Sequence, residues 1–450
     1  MRPAVEAEKL GIPSVVVTLT GFTRVAHQAA KAMGLPDLRI AEYPGAVGVH
    51  PEDLVRKNVE EVLFHRIIDC LTGTAASGGE TVVAPGGKAD EIVFRGDADA
   101  VQEYFRQQQW TDGLPIIPPT PERVQAFLEH TTRNPDQPVA ILPQANLAAT
   151  PRNIAVNAIM AGCRPEHLPI LLAAVEAIGD EHYNLNNIGT TWGVVPFILV
   201  NGPIVKELGL EYGGQLISKG ANPALGRALG LIVKNVAGYH PGENYMGTFG
   251  YPLCFALAEN EAENPWQPYH VEQGFDPSDS TVTAGATITW GWPPSPYETS
   301  DKTAAQSALE FLRVDITKKP CLPRLAERGT NGFRNMITLL LAPPVARTLA
   351  AAGYSKQDIK QYLYENAKVP AGEIGWGLTY GHPEAFTVAR YVELGTYPQE
   401  YLVEPHELVR VLPSPDVLHI VVCGDPDRNR IMTLWSGYVQ PVTKKIVVRE

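Results

Sequence analysis

The sequence has few cysteines and no long apolar run. Its five cysteines are widely spaced and form no Cys-x-x-Cys pair: Cys70, Cys163, Cys254, Cys321 and Cys423. That pattern disfavours a disulfide framework or a zinc cage and predicts reduced thiols, as in a cytoplasmic protein. No apolar run reaches the roughly 18 residues of a membrane-spanning helix. Glu6 and Glu8 lie where a signal peptide would need an apolar core.

Basic clusters and nucleotide-binding motifs are also missing. The formal net charge is −12 and the pI is about 5.5, and the Lys and Arg residues form no patch. We therefore expect neither nucleic acid nor a membrane as a partner. The Gly-rich segment Gly213–Arg227 matches neither Gly-x-Gly-x-x-Gly nor Gly-x-x-x-x-Gly-Lys-[Ser/Thr], so no nucleotide cofactor is predicted. What remains is a globular composition, with 44% hydrophobic and 19% charged residues.

The order of apolar segments predicts an α/β fold that opens with a partial βαβα unit. Residues 1–71 hold this unit, whose two strands and flanking helices are predicted at Ala4–Leu10, Ile12–Leu19, Phe22–Met33, Leu38–Glu42 and Pro51–Leu71. Two parallel strands leave both edges of a sheet open and most of its faces uncovered. We therefore expect this incomplete parallel sheet to be completed either by the rest of the chain or by a separate polypeptide.

The rest of the chain is predicted to form one large domain after a linker. Residues 72–94 are mostly rich in Gly, Ala, Ser and Thr and lack helical or strand periodicity, which is typical of a linker. Residues 95–450 alternate strand-like and helical segments without an internal repeat, so we predict a mixed α/β or α+β domain.

The loop after each strand of the first unit carries candidate substrate-binding residues, because ligands of open α/β sheets lie beyond the carboxyl ends of the strands. In the first loop, Thr20 and Gly21 offer a hydroxyl and a backbone N–H to an anion at a helix start. The alternative is that Thr20 or Thr23 only caps that helix. In the second loop the candidates are Tyr43 and His50. The alternative for His50 is a surface residue at a helix start.

Several segments carry a family resemblance. Glu6–Thr18, Ala29–Leu38 and Pro51–Leu54 resemble the second half of the UGSC family, which is named for a selenocysteine-or-cysteine, Gly, Ser, Cys motif. That family is similar in pattern to the selenoprotein B subunit of glycine reductase. Residues 95–450 resemble the large companion domain often found beside UGSC modules, through the segments Trp110–Pro119, Asn157–Glu166, Ala258–Trp266 and Gln440–Thr443.

The resemblance implies thiol-based redox or nucleophilic chemistry on a small polar, carboxylated molecule. This sequence contains neither UGSC nor CGSC. A separate chain carrying the motif is therefore the expected partner, in a hetero-oligomer.

Cys163 is the candidate nucleophile of the large domain. It lies at a predicted helix break before Pro165, where a helix N-terminus, together with Arg164 and His167, would lower the pKa of a thiol. The alternative is a small buried thiol that packs the turn.

A second candidate is the acidic stretch that follows the strand-like run ending at Ala258. Glu259, Glu261 and His270 are the predicted catalytic side chains, suited to proton transfer or to metal ligation. The alternative is a solvated acidic loop. We expect this cluster to lie beside the amide-rich stretch Asn184–Trp192.

Further candidates bind substrate or metal. The predicted substrate-binding side chains around the strand Val194–Val200 are Asn187, Thr190, Thr191, Trp192 and Asn201, or these residues only form turns. Arg227 would bind an anionic group if it does not simply lie on the surface. A metal is possible through His182, His240 or His270, although no pair of them has chelating spacing.

Three functions remain open from the sequence. The first is a UGSC-type enzyme subunit with a reductase-like reaction. The second is a metal-dependent hydrolase or lyase, and the third is a noncatalytic scaffold subunit.

Overall fold

A computed structural model describes residues 2–47, 50–73, 91–251, 253–291, 293–319, 335–374, 387–393, 395, 397–437 and 439–449. These residues form a mixed α/β structure with several small open sheets, as the sequence predicts. The helices are α1 Arg2–Lys9, α2 Thr23–Ala32, α3 Glu52–Asn58, α4 Phe64–Thr72, α5 Ala98–Gln107, α6 Pro121–Leu128, α7 Pro151–Ala161, α8 Leu168–Gly179, α9 Ile204–Glu207, α10 Asn222–Asn235, α11 Tyr269–Glu272, α12 Ala304–Thr317, α13 Pro343–Ala351, α14 Lys356–Asn366 and α15 Val388–Glu393.

The strands are β1 Val16–Leu19, β2 Ile40–Tyr43, β3 Ala140–Leu142, β4 Leu147–Ala149, β5 Val195–Asn201, β6 Phe255–Ala258, β7 Thr281–Thr287, β8 Ile337–Leu341, β9 Lys368–Pro370, β10 Leu408–Arg410, β11 Leu418–Val422, β12 Ile431–Trp435 and β13 Val442–Lys445. Most predicted elements are present. The last strand, β13, is largely polar and pairs with β7 at an edge of the sheet.

The first unit contains the predicted parallel strand pair. Val16 of β1 lies opposite Ile40 of β2, and Leu19 lies opposite Tyr43. Within the described part of the chain, these two strands pair only with each other. Several large apolar side chains of this unit are exposed, including Val17 at 49% and Phe64 at 56%. The sheet is therefore as open as the sequence predicts.

The last helical segment of the first unit changes its winding in the middle. Between α3 and α4, residues Val59–Leu63 form a π-helical turn directly after Asn58. Such turns are rare and are often found at functional sites. The segment Gly73–Phe94 that follows falls within the predicted linker, most of which lies outside the described residues.

The central sheet of the large domain has the order β13-β7-β5-β6. All seven residues of β5 are buried, as expected for a strand covered on both faces. β6 runs parallel to β5, whereas β7 runs antiparallel to it. Helices α7, α8 and α10 pack around a shared core on one face of this sheet.

A second sheet, of order β11-β8-β12, packs against the first. β11 is parallel to β8, and α12, α13 and α14 contribute to the core of this second layer. Apolar side chains of both sheets share one cluster, which includes Phe197, Leu199, Leu257, Leu340 and Val421. The layers thus bring the ends of β5, β6 and β11 together. No helix in the described ranges has the length and apolar character that crossing a bilayer requires.

Candidate functional site

A polar cluster lies where three strands end. Asn201 is the last residue of β5, Glu259 directly follows β6, and Val422 is the last residue of β11. Because β5 and β6 are parallel, their carboxyl ends lie at the same edge of the sheet. The backbone N–H of Asn260 donates to the carbonyl oxygen of Val422 at 2.8 Å, which ties the second sheet to this edge.

Glu259 lies at the centre of the cluster and is 2% exposed. Its carboxylate accepts hydrogen bonds from Asn201 Nδ2 at 2.6 Å, Asn264 Nδ2 at 2.8 Å, the Tyr269 N–H at 2.7 Å and the Val422 N–H at 3.4 Å. Burial raises the pKa of Glu259, and the hydrogen bonds and a nearby positive charge partly oppose this effect. With donors from both sheets, this carboxylate holds the layers together.

Glu261 is the more accessible carboxylate, with its side chain 26% exposed. It accepts hydrogen bonds from Asn201 Nδ2 at 2.9 Å and from the Gly202 N–H at 2.7 Å. The Asn201 amide therefore contacts both carboxylates. Glu259 and Glu261 thus meet through this amide, in the loop that follows the end of β6 at Ala258.

His270 completes the group. It is fully buried, and its Nδ1 lies 3.5 Å from Glu261 Oε1. Neither ring nitrogen has a hydrogen-bond partner among the described residues. Since an unpartnered buried polar atom costs free energy, this imidazole is unusually placed for a purely structural side chain.

The cluster borders a cavity of about 450 Å³. Besides Glu259 and Glu261, its walls include Asn260, Lys206 and Tyr212. Lys206 is exposed. The volume suits a small molecule. The walls offer it carboxylate oxygens and one positive charge.

The amide-rich stretch lies elsewhere, which corrects the predicted convergence. Asn187, Thr190, Thr191 and Trp192 precede β5, and seven residues of strand place them roughly 20 Å from Asn201. Two of these residues bond to other segments at that end of the strand: Asn187 Nδ2 donates to the Gly437 carbonyl, and the carbonyl of Thr191 accepts from the Thr248 N–H at 3.0 Å. The buried Thr190 hydroxyl has no hydrogen-bond partner among the described residues. Only Asn201, at the other end of β5, reaches the cluster.

Cys163 does not have the predicted thiolate character. It is 8% exposed within the main core, and burial raises the pKa of its thiol to about 12. The turn after α7 directs the backbone N–H of Cys163 to the Ala158 carbonyl at 3.0 Å. Desolvation outweighs any effect of the following helical turn, so the expectation of a lowered pKa is wrong.

The Arg227 guanidinium bonds to other groups of this protein. Its guanidinium forms a bidentate pair with Asp112, with both N–O distances at 2.9 Å, and it also donates to the Pro115 carbonyl at 2.8 Å. These contacts anchor the segment Trp110–Pro119 onto α10. Arg227 is therefore not available to an anionic substrate in this arrangement, contrary to the prediction.

The three candidate metal-binding histidines are not brought together. His182 is exposed and contacts Asp180 at 2.9 Å, His240 is half-buried near Lys234, and only His270 lies in the acidic cluster. Across the described ranges, no three His, Cys, Asp or Glu side chains are grouped as metal ligands.

The loops of the first unit hold two polar networks. Thr20 Oγ1 donates to Glu42 Oε1 at 3.0 Å, and Thr23 donates to the same carboxylate. The anion at this helix start is thus the chain's own Glu42, whose pKa is lowered by the hydroxyls of Thr23 and Thr20. Gly21 has a positive φ of 92° and has no atom within 4 Å of its Cβ position.

The second network joins Tyr43 and His50, as their positions around one loop suggest. Tyr43 is 1% exposed, and its hydroxyl lies 2.8 Å from His50 Nδ1. Asn58 joins them, with Nδ2 at 3.2 Å from the Tyr43 hydroxyl. Sequence reasoning missed Asn58 here and Asn264 at the acidic cluster, although the Glu-Asn-Glu-Ala-Glu-Asn run contained the latter.

Comparison with known proteins gives one match, in the first unit. Residues 1–73 match the model of the UGSC family, in agreement with the resemblance in the sequence. No curated protein and no solved structure matches the chain.

Proposed function

From the UGSC family assignment of residues 1–73, we propose that this protein is a subunit of a UGSC-type cytoplasmic enzyme acting on a small polar, carboxylated molecule. The observation that carries the proposal is the position of Glu261. This carboxylate is held by Asn201 and Gly202 at the wall of a cavity, with the buried His270 imidazole 3.5 Å away.

Glu261 and His270 are the proposed proton-transfer pair. A partly exposed carboxylate can reach a bound molecule, and an adjacent imidazole can exchange a proton with it. Glu259 is a positioning residue in this proposal, because its hydrogen bonds fix Asn201 and the loop that carries Glu261. Lys206 at the cavity wall supplies a positive charge for a substrate carboxylate.

The reactive thiol is proposed to come from a partner chain. This sequence has no UGSC or CGSC motif, and burial raises the pKa of the Cys163 and Cys254 thiols to about 12. The open edges of the β1–β2 pair, with Val17 and Phe64 exposed, support a docking place for such a chain. The similarity of the family to a glycine reductase subunit favours a reductive reaction.

The proposal is tested by reconstitution with a UGSC- or CGSC-bearing protein encoded beside this chain. The complex is isolated and assayed with a panel of small carboxylic acids and a thiol reductant. We expect turnover only from the complex, and we expect Glu261→Gln to lower it by about 100-fold, the scale of general acid–base catalysis.

The matched control is Glu263→Gln, a neighbouring carboxylate that contacts Arg347 and does not line the cavity. It should retain activity. If the wild-type complex is active and Glu261→Gln retains full activity, the proton-transfer role is contradicted. This chain would then be a noncatalytic scaffold. Absence of any complex would remove the proposed partnership.

A further inference from the structure

The Tyr43, His50 and Asn58 side chains form a compact network at the end of β2. Asn58 Nδ2 lies 3.2 Å from the Tyr43 hydroxyl, 3.4 Å from His50 Nδ1 and 3.4 Å from the Pro44 carbonyl oxygen. The Tyr43 hydroxyl in turn lies 2.8 Å from His50 Nδ1. Together these contacts determine which ring nitrogen of a neutral His50 carries the proton.

The orientation of the Asn58 amide is fixed by Pro44. A backbone carbonyl oxygen can only accept a hydrogen bond, so the amide group nearest to it must be the NH₂ and not the oxygen. The amide nitrogen has two protons. One is directed to Pro44, and the other is directed to the Tyr43 hydroxyl and His50 Nδ1.

Asn58 therefore presents a donor to both Tyr43 and His50. If Nδ1 carried a proton, that N–H would face the Asn58 NH₂, and the Tyr43 hydroxyl proton would have no acceptor among the described residues. Tyr43 is 1% exposed, and an unpaired buried donor costs about 1–3 kcal/mol. The favoured arrangement has Tyr43 donating to a bare Nδ1, which places the proton of neutral His50 on Nε2.

The hydrogen bonds of the His50 ring with other described residues involve Nδ1, which faces Tyr43 and Asn58. Gly45 makes the ring position possible, because a Cβ at that residue would overlap the imidazole. The ring also lies beyond the carboxyl ends of two parallel strands, where open α/β sheets bind ligands.

We propose that Asn58 and Tyr43 hold neutral His50 as its Nε2–H tautomer, so that His50 donates a hydrogen bond to a carbonyl or carboxyl oxygen of a small ligand at this strand edge. Tyr43 and Asn58 are positioning residues. This site is separate from the cavity at Glu261 and does not depend on the function proposed for that cavity.

The tautomer is tested by NMR of protein labelled with ¹⁵N in histidine, at a pH where the imidazoles are neutral. In the wild type we expect a protonated Nε2 and a bare Nδ1 for His50. Asn58→Asp replaces the donor by an acceptor of nearly the same shape. Tyr43 should then donate to Asp, His50 Nδ1–H should donate to Tyr43, and the two ring-nitrogen signals should exchange their positions.

Two further variants keep the test decisive. Lys57→Gln changes the net charge by the same amount at the neighbouring exposed residue and should leave the tautomer unchanged. Tyr43→Phe should retain the Nε2–H tautomer, because Asn58 still faces Nδ1. A protonated Nδ1 in the wild type, or an unchanged tautomer in a folded Asn58→Asp, would overturn the proposal.

The ligand is tested with acetamide and acetate, which both present a carbonyl-type oxygen and differ in charge. We expect titration with at least one of them to shift the His50 Nε2–H signal in the wild type and in Lys57→Gln, but not in Asn58→Asp. A response to acetate alone indicates a carboxylate ligand, and a response to acetamide indicates a neutral carbonyl. No shift with either compound would overturn the binding role.

Discussion

Two neighbouring carboxylates at one cluster have different tasks. Glu259 accepts four hydrogen bonds and is almost completely buried, whereas Glu261 accepts two and reaches the cavity. Both depend on the single Asn201 amide, which is itself fully buried. The larger number of donors around Glu259 indicates that this carboxylate stabilises the fold. Glu261, with fewer donors, is the carboxylate that can contact a molecule in the cavity.

Amide substitutions should separate these tasks by their effect on stability. Glu259→Gln places an NH₂ group among four donors and leaves at least one of them unpaired. We expect the free energy of unfolding to fall by about 1–3 kcal/mol, measured by urea denaturation. Glu261→Gln should cost less than about 1 kcal/mol, because its side chain is partly hydrated. Equal losses in the two variants would contradict this division.

The buried thiols should react slowly. Burial raises the pKa of Cys163 to about 12, so little thiolate exists at neutral pH, and the side chain is 8% exposed. Cys70 is only half-buried. We expect iodoacetamide to label Cys70 before Cys163, as followed by mass spectrometry of the tryptic peptides. Faster labelling of Cys163 would restore it as a candidate nucleophile.

At the scale of secondary-structure elements, one ion pair joins α8 to the edge strand β13. Asp180, directly after α8, accepts from Lys444 Nζ at 2.7 Å and from the His182 N–H at 3.0 Å. Burial opposes ionisation, but the hydrogen bonds from Lys444 and His182 outweigh it and lower the pKa of Asp180 to about 2. The ion pair therefore attaches the largely polar strand β13 to the end of α8.

Replacing Asp180 should expose this contribution and its pH dependence. A carboxyl with a lowered native pKa stabilises the fold above its unfolded pKa near 4, and this stabilisation is lost as pH falls through the native value near 2. We expect Asp180→Asn to lose about 2 kcal/mol at pH 7. The difference from wild type, measured by denaturation, should shrink below pH 4. A difference that is constant with pH would contradict the ionic origin.

At the scale of the whole molecule, the buried His167 and the half-buried His419 make stability sensitive to mild acid. Burial, with Arg164 nearby, lowers the pKa of His167 to about 4, and burial, with Lys360 nearby, lowers that of His419 to about 3. His419 Nδ1 lies 2.9 Å from the hydroxyl of Tyr269, the residue that precedes His270 in the sequence. Both rings are neutral in the native state.

Stability should fall as pH drops below about 6.5. Between that value and the lowered native pKa values, the unfolded chain binds protons that the native chain excludes, at up to about 1.4 kcal/mol per pH unit for each histidine. The double variant His167→Asn/His419→Asn should show a shallower pH dependence in chemical denaturation between pH 6.5 and 4. An unchanged slope would assign the acid sensitivity to other groups.

The sequence by itself determined the local elements and the residue types of the cluster. Apolar periodicity is a short-range property, so it located β1, β2, β5 and most helices, and it showed that Glu259 and Glu261 follow a strand. The open parallel pair of the first unit also followed from the sequence, because the number of predicted strands there is small.

Only the tertiary structure decided which polar groups meet. Polar residues precede β5, and Asn201 ends it. Strand direction and pairing with β6 placed Asn201, rather than Thr190 or Trp192, beside Glu259. Burial likewise reversed the expected pKa shift of Cys163, because desolvation depends on the whole surrounding core and not on the neighbouring residues in sequence. Contacts between groups distant in the chain, and the solvent removed by them, are long-range properties that local pattern does not encode.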